Sequence, residues 1–215
     1  MRAFLLLTLS LSVLLSVQAQ KPHRCKAPPY LEGKLLVVSP EGKTAVFERF
    51  SYDAVEQRIR VIASGKEGTQ DVFVDFLMLF REGFYYDINY HNKTCVKVPF
   101  SGDFIPIEIP INAQHTAQFV IGSLSAPAQG LLVNNWVGSL PELKANYSLS
   151  FTEFGCIPVS AYYNVENTGH VLSSYFDVVV GLENPDVFIP PSFCTSAKLL
   201  EKNKDEMADF FTALL

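Results

Sequence analysis

Apolar and polar side chains alternate most regularly between Asp71 and Phe100, where three strand-like runs follow one another. In the first run, Val72 to Phe80, both alternating faces are apolar, as in a strand that is covered on both sides. A hairpin turn is predicted at Arg81-Glu82-Gly83, because glycine readily takes a positive φ angle. The second run, Phe84 to Tyr90, has one apolar and one polar face, and the third run carries Cys95. The segment therefore predicts three consecutive antiparallel strands.

Short strand-like runs separated by turn residues recur along most of the chain. Besides the three above, they are Gly33–Ser39, Thr44–Tyr52, Val55–Ala63, Thr116–Gly122, Gly130–Val137, Ala145–Phe154, Pro158–Val165 and Val171–Gly181. Roughly ten short strands at regular spacing are typical of an all-β sandwich or a barrel-like sheet.

One helix is predicted, from Ser196 to Leu214 at the C-terminal end. Its apolar residues recur at helical spacing and form a stripe opposite charged side chains. The residues of the stripe are Leu199, Leu200, Met207, Phe210, Phe211 and Leu214.

The segment from Phe100 to Asn112 does not follow the strand pattern. Pro106 and Pro110 alternate with isoleucines, and each proline removes a backbone donor, so this segment is a sheet edge or a connection. The isoleucines nevertheless need burial. Two interpretations stay open, a loop packed on the sheet or a lid over a cavity.

Residues Met1–Ala19 have the pattern of a secretory signal peptide. Arg2 provides the positive n-region, Phe4–Leu15 the apolar h-region and Val17-Gln18-Ala19 a small-x-small cleavage site. The apolar run is shorter than the about 20 residues that a membrane-spanning helix needs. We therefore expect a secreted protein whose residues 20–215 form a single domain, without an integral membrane segment.

Composition narrows the range of partners. The chain has 17 basic and 22 acidic residues, a net charge of −5, and no basic patch, so we expect no nucleic-acid partner. Its 17 Phe and 9 Tyr against one Trp exceed what a core of this size requires. This excess indicates that some of the aromatic side chains line a feature other than an ordinary core.

Catalytic and metal-binding signatures are weak in this sequence. There is no nucleophile elbow, phosphate-binding glycine loop or H-E-x-x-H motif, so we do not expect an enzyme. Asp103, Glu183 and Asp186 lie near predicted turns but lack the spacing of an EF-hand. They are interpreted as solvated turn residues.

Four cysteines remain after signal cleavage: Cys25, Cys95, Cys156 and Cys194. None forms a C-x-x-C pair, which argues against a zinc or redox site. In an oxidising compartment an even, widely spaced set predicts two disulfides. Three pairings are possible, and spacing alone does not choose between them.

Two N-glycosylation sequons are present, Asn92-Lys93-Thr94 and Asn146-Tyr147-Ser148. In a chain with a signal peptide they predict glycans at exposed positions. Asn92, at a predicted strand end, is the more accessible of the two.

The order and spacing of several short motifs resemble those of the ependymins and ependymin-related proteins over nearly the whole mature chain. The most specific are the sequon immediately before Cys95 and the double proline before Cys194. The other motifs are Cys25-Lys-Ala-Pro-Pro, Phe50-Ser-Tyr-Asp53, Ile109-Pro-Ile-Asn-Ala113, Pro141-Glu-Leu143 with Tyr147-Ser-Leu-Ser150, and Gly155-Cys-Ile-Pro-Val-Ser160.

This resemblance implies an all-β fold of two curved antiparallel sheets that form a half-open barrel around a deep apolar pocket, similar to that of bacterial lipoprotein carriers. It implies that Cys25 pairs with Cys156 and Cys95 with Cys194. It also implies glycoproteins of extracellular fluid or lysosomes that bind calcium, mediate cell adhesion and form homodimers. One branch of the family has a third cysteine pair that this chain lacks.

We therefore expect a secreted, non-enzymatic glycoprotein that binds a hydrophobic, lipid-like ligand in a pocket between its sheets. The predicted ligand-binding residues belong to the hairpin from Val72 to Tyr90 and are Phe76, Met78, Phe80, Phe84, Tyr86 and Ile88. Alternation decides which side chains lie together, but not which face meets the cavity. The alternative function is a calcium-binding glycoprotein of the extracellular matrix or of cell adhesion, which the acidic charge and the sequons favour. No residue is assigned as a calcium ligand, and no other cofactor is expected.

Overall fold

The computed structural model describes residues 22–39, 44–100, 103–141, 144–166 and 169–200. These residues form eleven β-strands and two short 3₁₀ helices, Pro185–Phe188 and Ser192–Cys194. The strands are β1 (Tyr30–Ser39), β2 (Thr44–Asp53), β3 (Arg58–Glu67), β4 (Gln70–Leu79), β5 (Phe84–Asn89), β6 (Thr94–Pro99), β7 (Gln114–Gly122), β8 (Gly130–Leu140), β9 (Ala145–Thr152), β10 (Pro158–Val165) and β11 (Gly169–Val180). The predicted signal peptide lies outside the described residues.

All eleven strands hydrogen-bond into one antiparallel sheet with the order β6-β5-β4-β3-β2-β1-β11-β10-β9-β8-β7. Strands β1–β6 and β7–β11 form two meanders, which join where β1 pairs with β11. The predicted all-β, half-open fold is confirmed. The two predicted sheets, however, are halves of one continuous sheet, because β1 pairs with β2 on one side and with β11 on the other.

The main hydrophobic core lies on one face of this sheet, here called the inner face. Alternation brings every second residue of each strand to it. Its buried members come from both halves and include Leu35, Val37, Phe50, Tyr52, Val61, Met78, Trp136, Leu149, Phe151, Ala161 and Tyr163. Because residues of both halves belong to one contact cluster, the halves face each other across it.

The opposite, outer face carries a second, smaller cluster. Leu77, Tyr86 and Ile88 are buried there against Phe188 and Cys194. The latter two belong to residues 182–200, called the C-terminal segment below. This segment therefore covers the outer face of β4 and β5.

An ion pair also holds the C-terminal segment in place. The Arg60 guanidinium binds both carboxylate oxygens of Asp75, at 2.9 and 2.8 Å, and donates a third hydrogen bond of 2.8 Å to the Val187 carbonyl. Both side chains are buried, and such a pair needs this bidentate geometry to offset its desolvation.

Strand β4 has the predicted two-sided burial over its second half only. Leu77 and Met78, on opposite faces, are both 0% exposed, whereas Phe73 is 64% exposed. The prediction is wrong for the first half because Phe188 and Cys194 pack on the outer face only near Leu77.

The β2–β3 hairpin has a longer turn than predicted. The Asp53 carboxylate accepts hydrogen bonds from the backbone N–H groups of Val55 (3.0 Å) and Glu56 (2.9 Å), which is an Asx turn. Val55 therefore lies in the turn, and β3 begins at Arg58. The predicted turn between β4 and β5 is confirmed, with Gly83 at a φ of 72°.

Residues 196–200, the start of the predicted C-terminal helix, run along the edge strand β6. Leu199 forms a parallel bridge with Lys97, and the Leu200 N–H donates to the Lys97 carbonyl at 2.8 Å. This contact covers part of an edge that would otherwise present unpaired backbone groups. The rest of the predicted helix, residues 201–214, lies outside the described residues.

Candidate ligand-binding cavity

A cavity of about 410 Å³ lies between the sheet and the connection from β6 to β7. The part of this connection at residues 104–113 is called the proline segment below. The cavity wall from the sheet consists of Leu140, Tyr147, Leu149, Phe151, Pro158, Ser160, Ala161, Tyr163 and Tyr175. The wall from the proline segment consists of Ile105, Pro106, Ile107, Glu108, Pro110, Ile111 and Asn112. Small-molecule sites in proteins have volumes of about 300–1,000 Å³ and mostly apolar linings, which this cavity matches.

Strand alternation and small residues build the sheet wall. Tyr147 and Leu149 of β9 pair with Tyr163 and Ala161 of β10, so all four side chains lie on the inner face. Across β8, Tyr147 pairs with Gly138, where an added Cβ would clash with the Tyr147 hydroxyl. The missing side chain at Gly138 makes room for the Tyr147 ring, and the small side chain of Ala161 leaves room in the cavity.

Backbone hydrogen bonds hold the proline segment in place, and the Cys25–Cys156 disulfide anchors the chain that pairs with it. The Ile107 N–H donates to the Tyr52 hydroxyl at 3.0 Å. The chain around Cys25 pairs with the segment, since the Ala27 N–H donates to the Ile107 carbonyl at 2.9 Å and the Ile109 N–H to the Cys25 carbonyl at 3.0 Å. These bonds replace the ladder partners that its prolines exclude.

The geometry of this segment has features of both interpretations that the sequence left open, a loop packed on the sheet and a lid over a cavity. Ile109 is buried in the main core, as in a packed loop. Ile105 and Ile107 line both the cavity and a small void of about 20 Å³ toward β1–β3, as in a wall between two spaces. At the rim, Ile111 is 83% exposed.

Three tyrosine hydroxyls are the main polar groups of the sheet wall. Burial raises the pKa of Tyr147 above its ordinary value. Burial, with Tyr147 nearby, raises the pKa of Tyr163. Burial also raises the pKa of Tyr175, to which the neighbouring Tyr163 and Glu48 contribute. All three side chains are therefore neutral hydrogen-bonding groups at physiological pH.

Glu48 lies on the inner face of β2, behind this wall. It pairs across the sheet with Leu35, which in turn pairs with Tyr175. The side chain is 2% exposed, and its Oε2 atom has no hydrogen-bond partner among the described residues. Burial raises the pKa of this carboxyl to about 8, so Glu48 is largely protonated at neutral pH. Its place in the apolar alternation of Val46 and Phe50 was the signal for this burial in the sequence.

The structure does not bring the six predicted ligand-binding residues together. Phe76, Met78 and Phe80 belong to the main core on the inner face. In contrast, Phe84, Tyr86 and Ile88 belong to the outer cluster under the C-terminal segment. The register explains this, because Leu77, not Met78, pairs with Tyr86.

None of these six residues lines the cavity, whose sheet wall comes instead from β8–β11. The inward alternation of Tyr147, Leu149 and Phe151 was visible in the sequence, but it does not distinguish a cavity wall from a packed core.

The disulfides follow the pairing that the resemblance implies. Cys25 is bonded to Cys156 and Cys95 to Cys194. The first ties the chain around Cys25, which is hydrogen-bonded to the proline segment, to the β9–β10 turn, and the second ties the C-terminal segment to β6. Asn92 and Asn146 of the two sequons are both exposed, as attachment of a glycan requires.

The described residues contain no group of three or more His, Cys, Asp or Glu side chains placed to hold a metal ion. Asp103, Glu183 and Asp186 are exposed. The geometry therefore identifies no ligand set for calcium.

Comparison with known proteins assigns the chain to a family. The family model described as Ependymin matches residues 68–194. Ependymin-2 of Carassius auratus is 35% identical over 181 residues, which cover 84% of each chain. The chain belongs to the ependymin family. Ependymin-1 of Oncorhynchus mykiss, 32% identical, aligns over 99% of this chain and 98% of its own length, and mammalian ependymin-related protein 1 of Mus musculus is 28% identical over 180 residues.

A bacterial crystal structure shares the ependymin fold seen here. An uncharacterised conserved protein from Thermus thermophilus superposes with a TM-score of 0.51 at 10% sequence identity, covering 89% of this chain and 98% of the bacterial one. At this identity the likeness concerns the fold alone. Within the described part of the chain, no helix has the length and apolar character needed to cross a bilayer.

Proposed function

We propose that this member of the ependymin family is a non-enzymatic carrier that binds a hydrophobic or amphipathic small molecule in the cavity between the proline segment and β8–β11. The observation that carries the proposal is the cavity itself, about 410 Å³ in volume with a largely apolar lining. A packed core leaves few voids larger than a water molecule, so a space of this size inside the fold favours a ligand. Burial of an apolar chain there would supply about 25 cal/mol per Å².

The proposal includes secretion and glycosylation. The signal-peptide pattern of Met1–Ala19, the two disulfides and the exposed sequon asparagines support an extracellular glycoprotein. A lysosomal location, the alternative, has no such support among the described residues.

The cavity is tested by filling it. Ala161 lines the cavity, so we expect Ala161→Phe to occupy the space and lower the uptake of a neutral fluorescent apolar probe at least about tenfold, because the probe loses the volume it would fill. Its unfolding free energy should change by less than about 1 kcal/mol, since the new ring enters open space and not a packed core.

Ala63→Phe is the matched control. Ala63 is equally buried on the inner face but lines no part of the cavity. There a phenylalanine ring overfills the core and should lower the free energy of unfolding by about 1–3 kcal/mol. The variant molecules that stay folded should take up the probe as the wild type does. A wild-type protein purified from eukaryotic cells that takes up no probe and carries no lipid in native mass spectrometry would contradict the carrier function.

The alternative, a calcium-binding matrix or adhesion glycoprotein, gains no specific support from the described geometry. It would be favoured if the protein lacked bound lipid and associated with itself only when calcium is added. The same mass-spectrometry samples, measured with and without calcium, distinguish the two functions.

A further inference from the structure

The inner wall of the cavity carries two tyrosine hydroxyls that have no hydrogen-bond partner among the described residues. Tyr163 is 4% and Tyr175 9% exposed, and both line the cavity. Neither hydroxyl has a hydrogen-bond partner among the residues that the structure describes, although both side chains pack in the main core and the Tyr175 ring contacts Phe50. Buried tyrosine hydroxyls normally have a partner, so a donor and an acceptor are available to a ligand at each of them.

None of the described residues that line the cavity has an unpaired charge that could neutralise a charged head group. Among the described residues that line it, Glu108 is the single charged one, and its carboxylate is paired with Lys26 at 2.7 Å. Behind the tyrosines, Glu48 is buried and protonated at neutral pH. An ionised group brought to the inner wall would therefore remain unpaired, which costs much more than burial of a neutral group that forms hydrogen bonds.

We propose that the ligand is a single-chain amphiphile with an uncharged, hydrogen-bonding head, such as an alcohol or a neutral ester, and that the head enters first and binds the hydroxyls of Tyr163 and Tyr175. The apolar chain then lies along Leu149, Phe151 and the isoleucines of the proline segment, toward the exposed rim at Ile111. This inference rests on the proposed carrier function and specifies the chemical class of its ligand.

The mouth of the cavity offers a second, weaker polar position. The Tyr147 hydroxyl lies 3.5 Å from the Asn112 side-chain oxygen, at the limit of a hydrogen bond. Asn112 is exposed, so water satisfies polar groups there without help from a ligand. The buried pair Tyr163 and Tyr175 is therefore the position at which a ligand head gains most.

Three twelve-carbon compounds that differ only in the head test this inference, namely dodecane, dodecanol and dodecanoate. Each displaces the neutral probe phenyl-naphthylamine from the purified full-length protein at neutral pH. We expect dodecanol to bind at least as tightly as dodecane and more than about tenfold more tightly than the ionised dodecanoate. In an apolar cavity without polar partners, the alcohol would bind far more weakly than the alkane, because its hydroxyl would be buried unpaired.

Conservative variants assign the effect to the two tyrosines. Tyr163→Phe and Tyr175→Phe should each lower the affinity for dodecanol about tenfold and leave that for dodecane unchanged, since each removes one hydrogen bond to the head. Tyr86→Phe, a buried tyrosine of the outer cluster, is the control and should change neither affinity.

The outcomes separate this inference from the carrier function on which it rests. Suppose that the wild type takes up the probe but the tyrosine variants lose affinity equally for dodecanol and dodecane, or lose none. This result overturns the head-inward orientation and leaves the carrier function intact. Dodecanoate binding more tightly than dodecanol, with sensitivity to the tyrosine variants, overturns the uncharged head. A wild-type protein that takes up no probe overturns the carrier function and this inference together.

Discussion

Glu48 shows how far a single side chain can depart from its behaviour in water. Burial in the apolar face of β2 raises its pKa from 4.5 to about 8. Between these two pH values the native carboxyl keeps a proton that the unfolded chain releases. The contribution of this group to stability is therefore fully present below pH 4.5 and is lost as the pH rises to about 8.

Glu48→Gln tests this account, because glutamine is neutral and of nearly the same shape. We expect the variant and the wild type to be similarly stable near pH 4.5, and the variant to be more stable above about pH 8 by up to roughly 5 kcal/mol, since one pKa unit corresponds to about 1.4 kcal/mol. Urea unfolding across this range measures the difference. Glu82→Gln, at an exposed turn position, should leave the pH dependence unchanged, and parallel curves for Glu48→Gln and the wild type would contradict the buried acid.

At the scale of elements, the C-terminal segment is held to the outer face by a disulfide, by the packing of Phe188 on the outer cluster and by the hydrogen bond from Arg60 to the Val187 carbonyl. The disulfide Cys95–Cys194 spans a sequence separation of 99 residues, and beneath the segment lie Leu77, Tyr86 and Ile88. Release of the segment would expose this cluster, because Phe188 and Cys194 of the segment pack on it.

Replacement of both Cys95 and Cys194 by Ala should therefore lower the unfolding free energy by roughly 3–5 kcal/mol, through the chain entropy of a loop of this length. Amide hydrogen exchange should accelerate first in β4 and β5. The corresponding Cys25 and Cys156 variant, with a separation of 131 residues, is the control, and there we expect faster exchange in the proline segment. Unchanged exchange in β5 of the first variant would show that the segment stays in place without the disulfide.

At the scale of the whole molecule, the outer face has an apolar patch that the C-terminal segment leaves uncovered. Phe47, Phe73, Leu172 and Phe176 are 42–64% exposed. The cross-strand pairs of β4 with β3, β3 with β2 and β1 with β11 place them in neighbouring rows of one face. Exposed apolar patches of this kind mark interaction surfaces, and we propose a second copy of the chain as the occupant, in line with the homodimer that the resemblance implies.

Two charges at the centre of this patch should prevent that association. We expect the double variant Phe47→Glu and Leu172→Glu to sediment as a monomer at concentrations where the wild type is a dimer, because two carboxylates would be buried without partners. Phe154→Glu, an 80% exposed apolar residue outside the patch, should leave the dimer intact. A wild type that remains monomeric at high concentration, or a double variant that still dimerises, would rule out this interface.

The sequence by itself determined which side chains share a face of each strand. Alternation depends only on the backbone, so the inward set Tyr147, Leu149 and Phe151 follows from the order of residues alone, as does the turn at Gly83. The signal-peptide pattern, the sequons and the ordered family motifs are likewise local features. Together they predicted an all-β, half-open fold for a member of the ependymin family.

Only the tertiary structure decided which of these faces meets a cavity. The predicted residues of β4 and β5 are split between two cores, because the C-terminal segment buries Tyr86 and Ile88 from outside while Met78 packs within. The cavity instead arises where the proline segment meets β9 and β10. That meeting depends on contacts between residues far apart in the chain. Because a cavity wall and a packed core have the same alternation, the local pattern carries no information about the space between the proline segment and the sheet.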